Sequence, residues 1–300
     1  MLALAVLAYL LLTCRSQILL SLDEGLALSR GIAADSHRLT LLVVLAAIVL
    51  FPIYAVLLQA LKTGPGSLDH PRSLLPVDLT FSTIRAAWNQ GHLGRLLLNS
   101  VFVSIAVTVG VVITSLLAAY AFAFLEFPWK GPLFIGYLAT MLVPAEVTVV
   151  INERTADSLG WINTYQGLIV PSLASTFGVF LVRQVFLQLP SELREASALD
   201  GVGHLRFLWE VAAPLSRPTL GALGLFTFLG TWNAYLWPSQ VIRGDRSKET
   251  IQIGLEHLTN SDISKVNLVT GGLVVAALPI FVMLVAFQRQ LVRGLTAGAV

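Results

Sequence analysis

Two features of this sequence could carry chemistry. The first is a polar run in an otherwise apolar chain, Pro190-Ser191-Glu192-Leu193-Arg194-Glu195-Ala196-Ser197-Ala198-Leu199-Asp200-Gly201. It reads as a short helix: Ser191 can cap its start, Glu192 suits the positive end of the dipole, and Gly201 can take the positive φ that stops it. A second short helix is expected from Leu205 to Ala212, ended by Pro214. Helices of about 10 residues are marginal alone in water. With Leu205, Phe207, Leu208 and Trp209 to cover, this pair needs either the protein's own membrane face or a partner. The second feature is Glu146, the one acidic residue placed within a well-formed apolar stretch, where an ionisable group is costly enough to be functional by default. Asn233 and Tyr235, in another apolar stretch, can hydrogen-bond hydroxyl groups, whereas Trp232 and Trp237 read as packing or interfacial anchors. Thr148, Gln184 and Gln240 are weaker choices for the same hydrogen-bonding role. The five histidines are scattered without metal spacing, and a single cysteine, Cys14, permits neither an internal disulfide nor a multi-cysteine metal site. No Gly-x-x-x-x-Gly-Lys-Ser/Thr loop is present to bind ATP.

The elements that position these residues are set by composition. Of 300 residues, 56% are hydrophobic and 12% charged, and mean hydropathy is +0.79. A soluble domain carries about 25% charged residues; a chain this poor in charge cannot cover a surface facing water. A soluble enzyme, a disulfide module and a disordered chain are excluded, and a net charge of +2 gives no reason for a nucleic-acid partner. Six stretches are long and apolar enough to span: about 39–61, 96–125, 132–151, 165–182, 219–242 and 267–287. Each must satisfy its own backbone groups in lipid, so each is expected to be helical. The fold class is therefore all-α: a polytopic bundle of six core transmembrane helices with an extra hydrophobic helix at the N-terminus. That extra helix and a polar connector occupy 1–38, and the transmembrane domain 39–300. Five of the six stretches carry a proline (Pro52, Pro144, Pro171, Pro238 and Pro279), each removing a backbone donor and favouring a kink. Lys and Arg are shared evenly between the two sets of connecting segments, so charge does not fix orientation.

The spacing of the polar run resembles the cytoplasmic coupling loop of bacterial ABC importer permeases. Their signature is Glu-Ala-Ala, three residues, Gly, nine residues, then Ile-x-Leu-Pro. Here it reads Glu195-Ala196-Ser197, three residues, Gly201, nine residues, Val211-Ala212-Ala213-Pro214. The spacing is kept, and the departures at Ser197, Val211 and Ala213 are small or apolar. Further strings resemble the second permease subunit of carbohydrate importers of the maltose type: Leu98-Asn99-Ser100, Ala119-Tyr120-Ala121-Phe122-Ala123, Asn163-Thr164-Tyr165, Trp232-Asn233-Ala234-Tyr235-Leu236-Trp237-Pro238, and the tail from Gln288-Arg289 through Gly294. Pro144-Ala145-Glu146-Val147 and Phe180-Leu181-Val182-Arg183-Gln184 are similar to the glycerol-3-phosphate type, with a neutral-sugar importer as the alternative.

The resemblance implies a multi-pass protein of the bacterial cytoplasmic membrane that is not itself an enzyme. It implies a heterodimer with a second permease, a pair of ATPase subunits holding ATP and Mg, and an extracytoplasmic solute-binding protein, with no cofactor on this chain. The loop at about 190–218 would be cytosolic. Glu195, Ala196, Ser197, Asp200, Gly201, Arg206 and Pro214 would form the ATPase-coupling surface, and Gln288, Arg289 and Gly294 would touch the same partner. Glu146, Asn233 and Tyr235 would line the substrate path. The rival reading is an ion-coupled secondary transporter without an ATPase. It has only Glu146 as an intramembrane carboxylate and leaves the loop unexplained.

Overall fold

A computed structural model describes residues 33–62, 75–77, 79–261 and 266–296. The extra N-terminal helix expected within 1–20 lies outside the described residues. Among the described residues the chain is helical, with no strand beyond one bridge between Lys62 and Leu79. It divides into two compact units, 1–86 with 262–274 and 87–261 with 275–300. In the first, helix α1 (Ala33–Ala60) is long and apolar enough to span over Leu42–Ala60. Two residues past its end, the Lys62 carbonyl accepts from two side chains, Thr83 Oγ1 (2.6 Å) and Asn267 Nδ2 (3.1 Å).

The second unit follows α2 (Ser82–Gln90) and is organised on α3 (Leu93–Phe124), an uninterrupted 32-residue helix that is also long and apolar enough to span. Its buried stripe runs Leu96, Asn99, Ser100, Val103, Ser104, Val107, Val111, Ser115, Leu116, Ala119 and Tyr120. The steps of three and four residues mark one helix face. The small residues on it allow close packing, as small side chains do between membrane helices: a Cβ at Gly178 would overlap Ser115 Oγ. Against α3 pack α7 (Thr176–Phe186) and α11 (Arg217–Trp232).

Prolines decide where the other spans break. The stretch expected at 132–151 is not one straight helix. α4 (Lys130–Ala139) passes through a 3₁₀ turn, Thr140–Leu142, and meets α5 (Ala145–Ser158) at 104°. Pro144 has no N–H for the Thr140 carbonyl, and Val143 before it is pushed to an extended conformation (φ −84°, ψ 117°). In the next pair, α6 (Tyr165–Ile169) runs through the 3₁₀ turn Val170–Leu173 and meets α7 at 41°. Pro171 cannot donate to Gly167 O; the indole of Trp237 does so instead, at 3.1 Å. The stretch expected at 219–242 stops at Trp232 and resumes as α12 (Leu236–Val241), because Pro238 lacks the donor that would continue the ladder to Ala234. Pro52 and Pro279 sit inside continuous helices, α1 and α14 (Val266–Thr296). Between α12 and α14, α13 (Ile251–Ser261) packs on α3.

Candidate coupling segment and solute path

The polar run folds as α8 (Ser191–Leu199). Its N-cap is Pro190, not Ser191: the ring fixes φ at −56°, ψ is 134°, and Ser191 becomes the first helical residue. Its C-terminus is as expected. Gly201 takes φ +70°, with Val202 N–H bonded to Ser197 O (2.9 Å) and Gly201 N–H to Ala198 O (3.1 Å). This is the Schellman arrangement, and it consumes carbonyls that would otherwise be left unpaired.

The second helix is longer than expected. It begins as α9 (His204–Phe207), widens into a π turn over Leu208–Ala212, and closes as α10 (Ala213–Leu215). The chain therefore passes Pro214 instead of stopping at it. The wider turn precedes the residue that has no N–H to give, which is how such bulges absorb a break in the ladder.

The segment is anchored on one side and open on the other. Phe207 and Leu208 are buried, and the Phe207 ring meets Phe124 edge-on at 5.8 Å. His204 Nδ1 shares a 2.9 Å hydrogen bond with Tyr120 OH on α3. The Arg194 guanidinium lies 5.9 Å over the Phe124 ring. The open side carries Leu199 (90% exposed), Leu205 (66%) and Trp209 (49%), beside exposed Glu195, Ala196 and Asp200. Ser197 is half-buried, its hydroxyl turned back to Leu193 O at 2.7 Å. Arg206 pairs with Glu210 at 2.9 Å, both more than half exposed; such a pair contributes little stability. Pro214 is half-buried. Among the described residues nothing covers this apolar face, and exposed apolar groups rimmed by charge mark an interaction surface.

Cations close the end of α3 next to this segment. Arg183 Nε donates to Phe122 O (3.1 Å) with its guanidinium 4.2 Å over Phe134, and Lys130 Nζ donates to Leu125 O (2.8 Å). Positive charge at a helix C-terminus complements the negative end of the dipole.

Glu146, Asn233 and Tyr235 are all exposed and all lie at helix breaks. Glu146 is in the first turn of α5, Asn233 is the C-cap of α11 with Nδ2 on Leu229 O (2.9 Å), and Tyr235 donates to Glu256. α5 packs against α12, and Arg243 pairs with Glu153 across them. Gln288, Arg289 and Gly294 fall in the last turns of α14, and their side chains lie outside the described residues.

Sequence reasoning missed a cavity of about 210 Å³ beside the α11–α12 break, whose lining includes Ser100, Ser104, Ser172, Thr231, Trp237 and Thr250. Ser104 Oγ and Thr250 Oγ1 are buried there without a hydrogen-bond partner. Buried hydroxyls are ordinarily paired, so this cavity suits a small polar solute or water. The only sequence signal was Ser100 and Ser104, four apart on the buried face of α3, which also reads as plain close packing.

Also missed was the role of two asparagines. Buried Asn99 donates through Nδ2 to Ser247 O and Glu249 O, both at 2.9 Å, and accepts from Tyr165 OH at 3.0 Å. Ser100 Oγ accepts from Ile251 N–H at 2.7 Å. Asn163, in the left-handed region at φ +58°, accepts from Arg243 N–H through Oδ1 (2.6 Å) and from Lys248 Nζ through its carbonyl (2.9 Å). Within the same turn, hydrogen bonds from Lys248 Nζ, then from the Ser247 hydroxyl and N–H, hold the Asp245 carboxyl down at about 2. The strings Leu98-Asn99-Ser100 and Asn163-Thr164-Tyr165 thus pin one connecting segment, 241–251, to α3 and α6.

A protein-family profile described as the binding-protein-dependent transport system inner membrane component matches residues 98–296. The chain belongs to that family. As a member it is a polytopic, non-catalytic permease of the inner membrane. It is 33% identical over 274 residues to the sn-glycerol-3-phosphate transport system permease protein UgpE of Yersinia pestis bv. Antiqua (strain Antiqua), covering 89% of this chain and 96% of that one. With the Salmonella typhi protein of the same name it shares 32% over the same span. The fold is that of a chain in the crystal structure of a bacterial ABC transporter involved in the import of the acidic polysaccharide alginate, with a TM-score of 0.75 and 21% identity over 85% of this permease and 95% of that chain.

Proposed function

We propose that this permease forms half of the translocation path of an ATP-driven importer for sn-glycerol-3-phosphate. A second permease completes the path, a pair of ATPase subunits supplies the energy, and an extracytoplasmic binding protein delivers the solute. ATP and Mg bind the ATPase; this chain binds no cofactor. The observation that carries the reading is the open face of α8, α9 and the π turn after it, where Leu199, Leu205 and Trp209 stand uncovered beside Glu195, Ala196 and Asp200. Ala196 lets a partner approach closely, Glu195 offers charge-assisted bonds, and Arg206 stands at the rim. Closure of the ATPase pair pushes this face, and His204–Tyr120 with Phe207–Phe124 passes the displacement into α3. The breaks at Pro144, Pro171 and Pro238 are the places where rigid helices then change angle. The tail bearing Gln288, Arg289 and Gly294 adds a second ATPase contact. Two relatives named for sn-glycerol-3-phosphate transport, each matched over nearly its whole length, support this choice of substrate.

Glu146, Asn233 and Tyr235 lie along the path. A carboxylate at Glu146 repels a phosphate ester and sets a barrier that an uncharged side chain of the same shape removes. The test is uptake of labelled sn-glycerol-3-phosphate in cells lacking their own importer, supplied with this permease and its partner subunits. Wild type is expected to accumulate the ester. Glu146→Gln is expected to assemble normally and to change KM by about fivefold, which corresponds to about 1 kcal/mol of charge repulsion. Wild-type cells that accumulate only neutral sugars would overturn the substrate assignment, and unchanged kinetics in the variant would remove Glu146 from the path.

A further inference from the structure

At the far end of α3 from the coupling segment, a cleft of about 740 Å³ opens to solvent. The cleft meets this helix at Arg95 and Leu96 and the coupling segment meets it at Tyr120 and Phe124, so the two sites are about 40 Å apart along it, enough to place them on opposite faces of the membrane. With α8 cytosolic, the cleft faces outward. Its lining includes Trp88, His92, Arg95, Arg246, Glu249 and His257.

Three observations give the cleft its chemistry. First, Arg95 and Arg246 are exposed in it, and among the described residues neither meets a carboxylate. Second, Arg95 lies in the first turn of α3, where a cation opposes the helix dipole. That turn holds no acidic residue, and its N-cap, His92 at φ 49°, makes no side-chain capping bond. An unfavourable cation beside an uncapped helix start is relieved by a bound anion, which meets both. Third, the one carboxylate in the lining, Glu249, is 6% exposed and already engaged by His257 Nε2 at 3.1 Å. The walls are also held in shape. Ser247 and Glu249, flanking the Arg246 turn, are both fixed through their carbonyls to Asn99. A concave site of this volume matches a small solute and not the broad, flatter surface of a protein interface.

We infer that this cleft is an anion-docking site that receives the phosphate group of a small phosphate ester on the outer face, before the solute enters the path. The inference rests on the orientation and substrate class proposed above. Arg95 and Arg246 supply the phosphate contacts as planar, multiply donating groups, and Trp88 supplies an apolar wall for the carbon chain. A phospholipid headgroup offers the same phosphate chemistry, so the test separates the two sources.

The assembled transporter is placed in phosphatidylcholine nanodiscs, and ³¹P line broadening of inorganic phosphate and of sn-glycerol-3-phosphate is recorded. Wild type is expected to broaden both, and the Arg95→Gln/Arg246→Gln double variant neither. In proteoliposomes the double variant should raise the uptake KM about tenfold through loss of the charged donors, with subunit assembly unchanged and Arg95→Lys/Arg246→Lys intermediate. Equal broadening in wild type and double variant would overturn the site. Broadening abolished by phosphatidylglycerol in the disc, with that lipid retained only by wild type, would overturn the solute assignment in favour of a lipid. Wild type that broadens inorganic phosphate but imports only neutral sugars would uphold the anion site while removing the substrate reading above.

Discussion

Gly201→Asp is expected to leave the permease folded and inserted while lowering uptake at least about tenfold, the equivalent of about 1.4 kcal/mol in docking to the ATPase. Position 201 has φ +70°, and a Cβ built there has nothing within 4 Å. Within this chain, then, a side chain costs only the strain of the left-handed conformation, about 1–2 kcal/mol for an ordinary residue and less for Asp or Asn, which visit that region more readily. The Schellman bonds of Val202 and Gly201 use backbone atoms and survive. What the substitution adds is bulk and negative charge on the open face of α8. Gly201→Asn separates the two, since it has the shape of Asp without the charge. Uptake and co-purification with the ATPase are the readouts, and an Asn variant intermediate between wild type and Asp is expected. Normal association of the Asp variant would remove Gly201 from the contact.

Asn99→Ala should cause the largest loss of stability of any single substitution considered. One 7%-exposed side chain serves two backbone carbonyls and a phenol. Truncation strands the buried Glu249 carbonyl and two part-buried partners, Ser247 O and the Tyr165 hydroxyl, at about 1–3 kcal/mol for each group left unsatisfied. The total is about 3–5 kcal/mol after partial relaxation. Tyr165→Phe removes only the phenol bond and should cost about 1 kcal/mol. Thermal unfolding of the purified permease in detergent ranks the two. A Tm for Asn99→Ala no lower than that of Tyr165→Phe would show that segment 241–251 does not depend on Asn99.

The coupling segment was legible because its signal is contiguous. A cap, a helix and a stopping glycine lie within twelve residues, and Gly201 adopts the conformation its position required. The local error was equally physical. Ser191 reads as a cap by residue type, but Pro190, one position earlier, already has the fixed φ and extended ψ of an N-cap. Prolines marked possible breaks without saying which would open. Pro52 and Pro279 are carried inside continuous helices, whereas Pro144 marks a turn of 104°. The outcome depends on contacts made by the folded chain, such as the bond from Trp237 to Gly167 O at the Pro171 bend, and no local pattern encodes that. The hydroxyl cavity was hidden for the same reason. Ser104 and Thr250 meet only in the folded chain, and on α3 a buried serine looks like any small packing residue. Asn99 and Asn163 were visible as parts of family strings, but their work as pins for 241–251 required the fold.

The most direct test of the account is to purify the tagged permease from its native host in mild detergent and identify every co-purifying chain by mass spectrometry. A P-loop ATPase and a second permease of the same family are the expected companions, with the ATPase lost in Gly201→Asp. Recovery of the permease alone or only with itself would contradict the coupling assignment and favour a transporter driven without ATP.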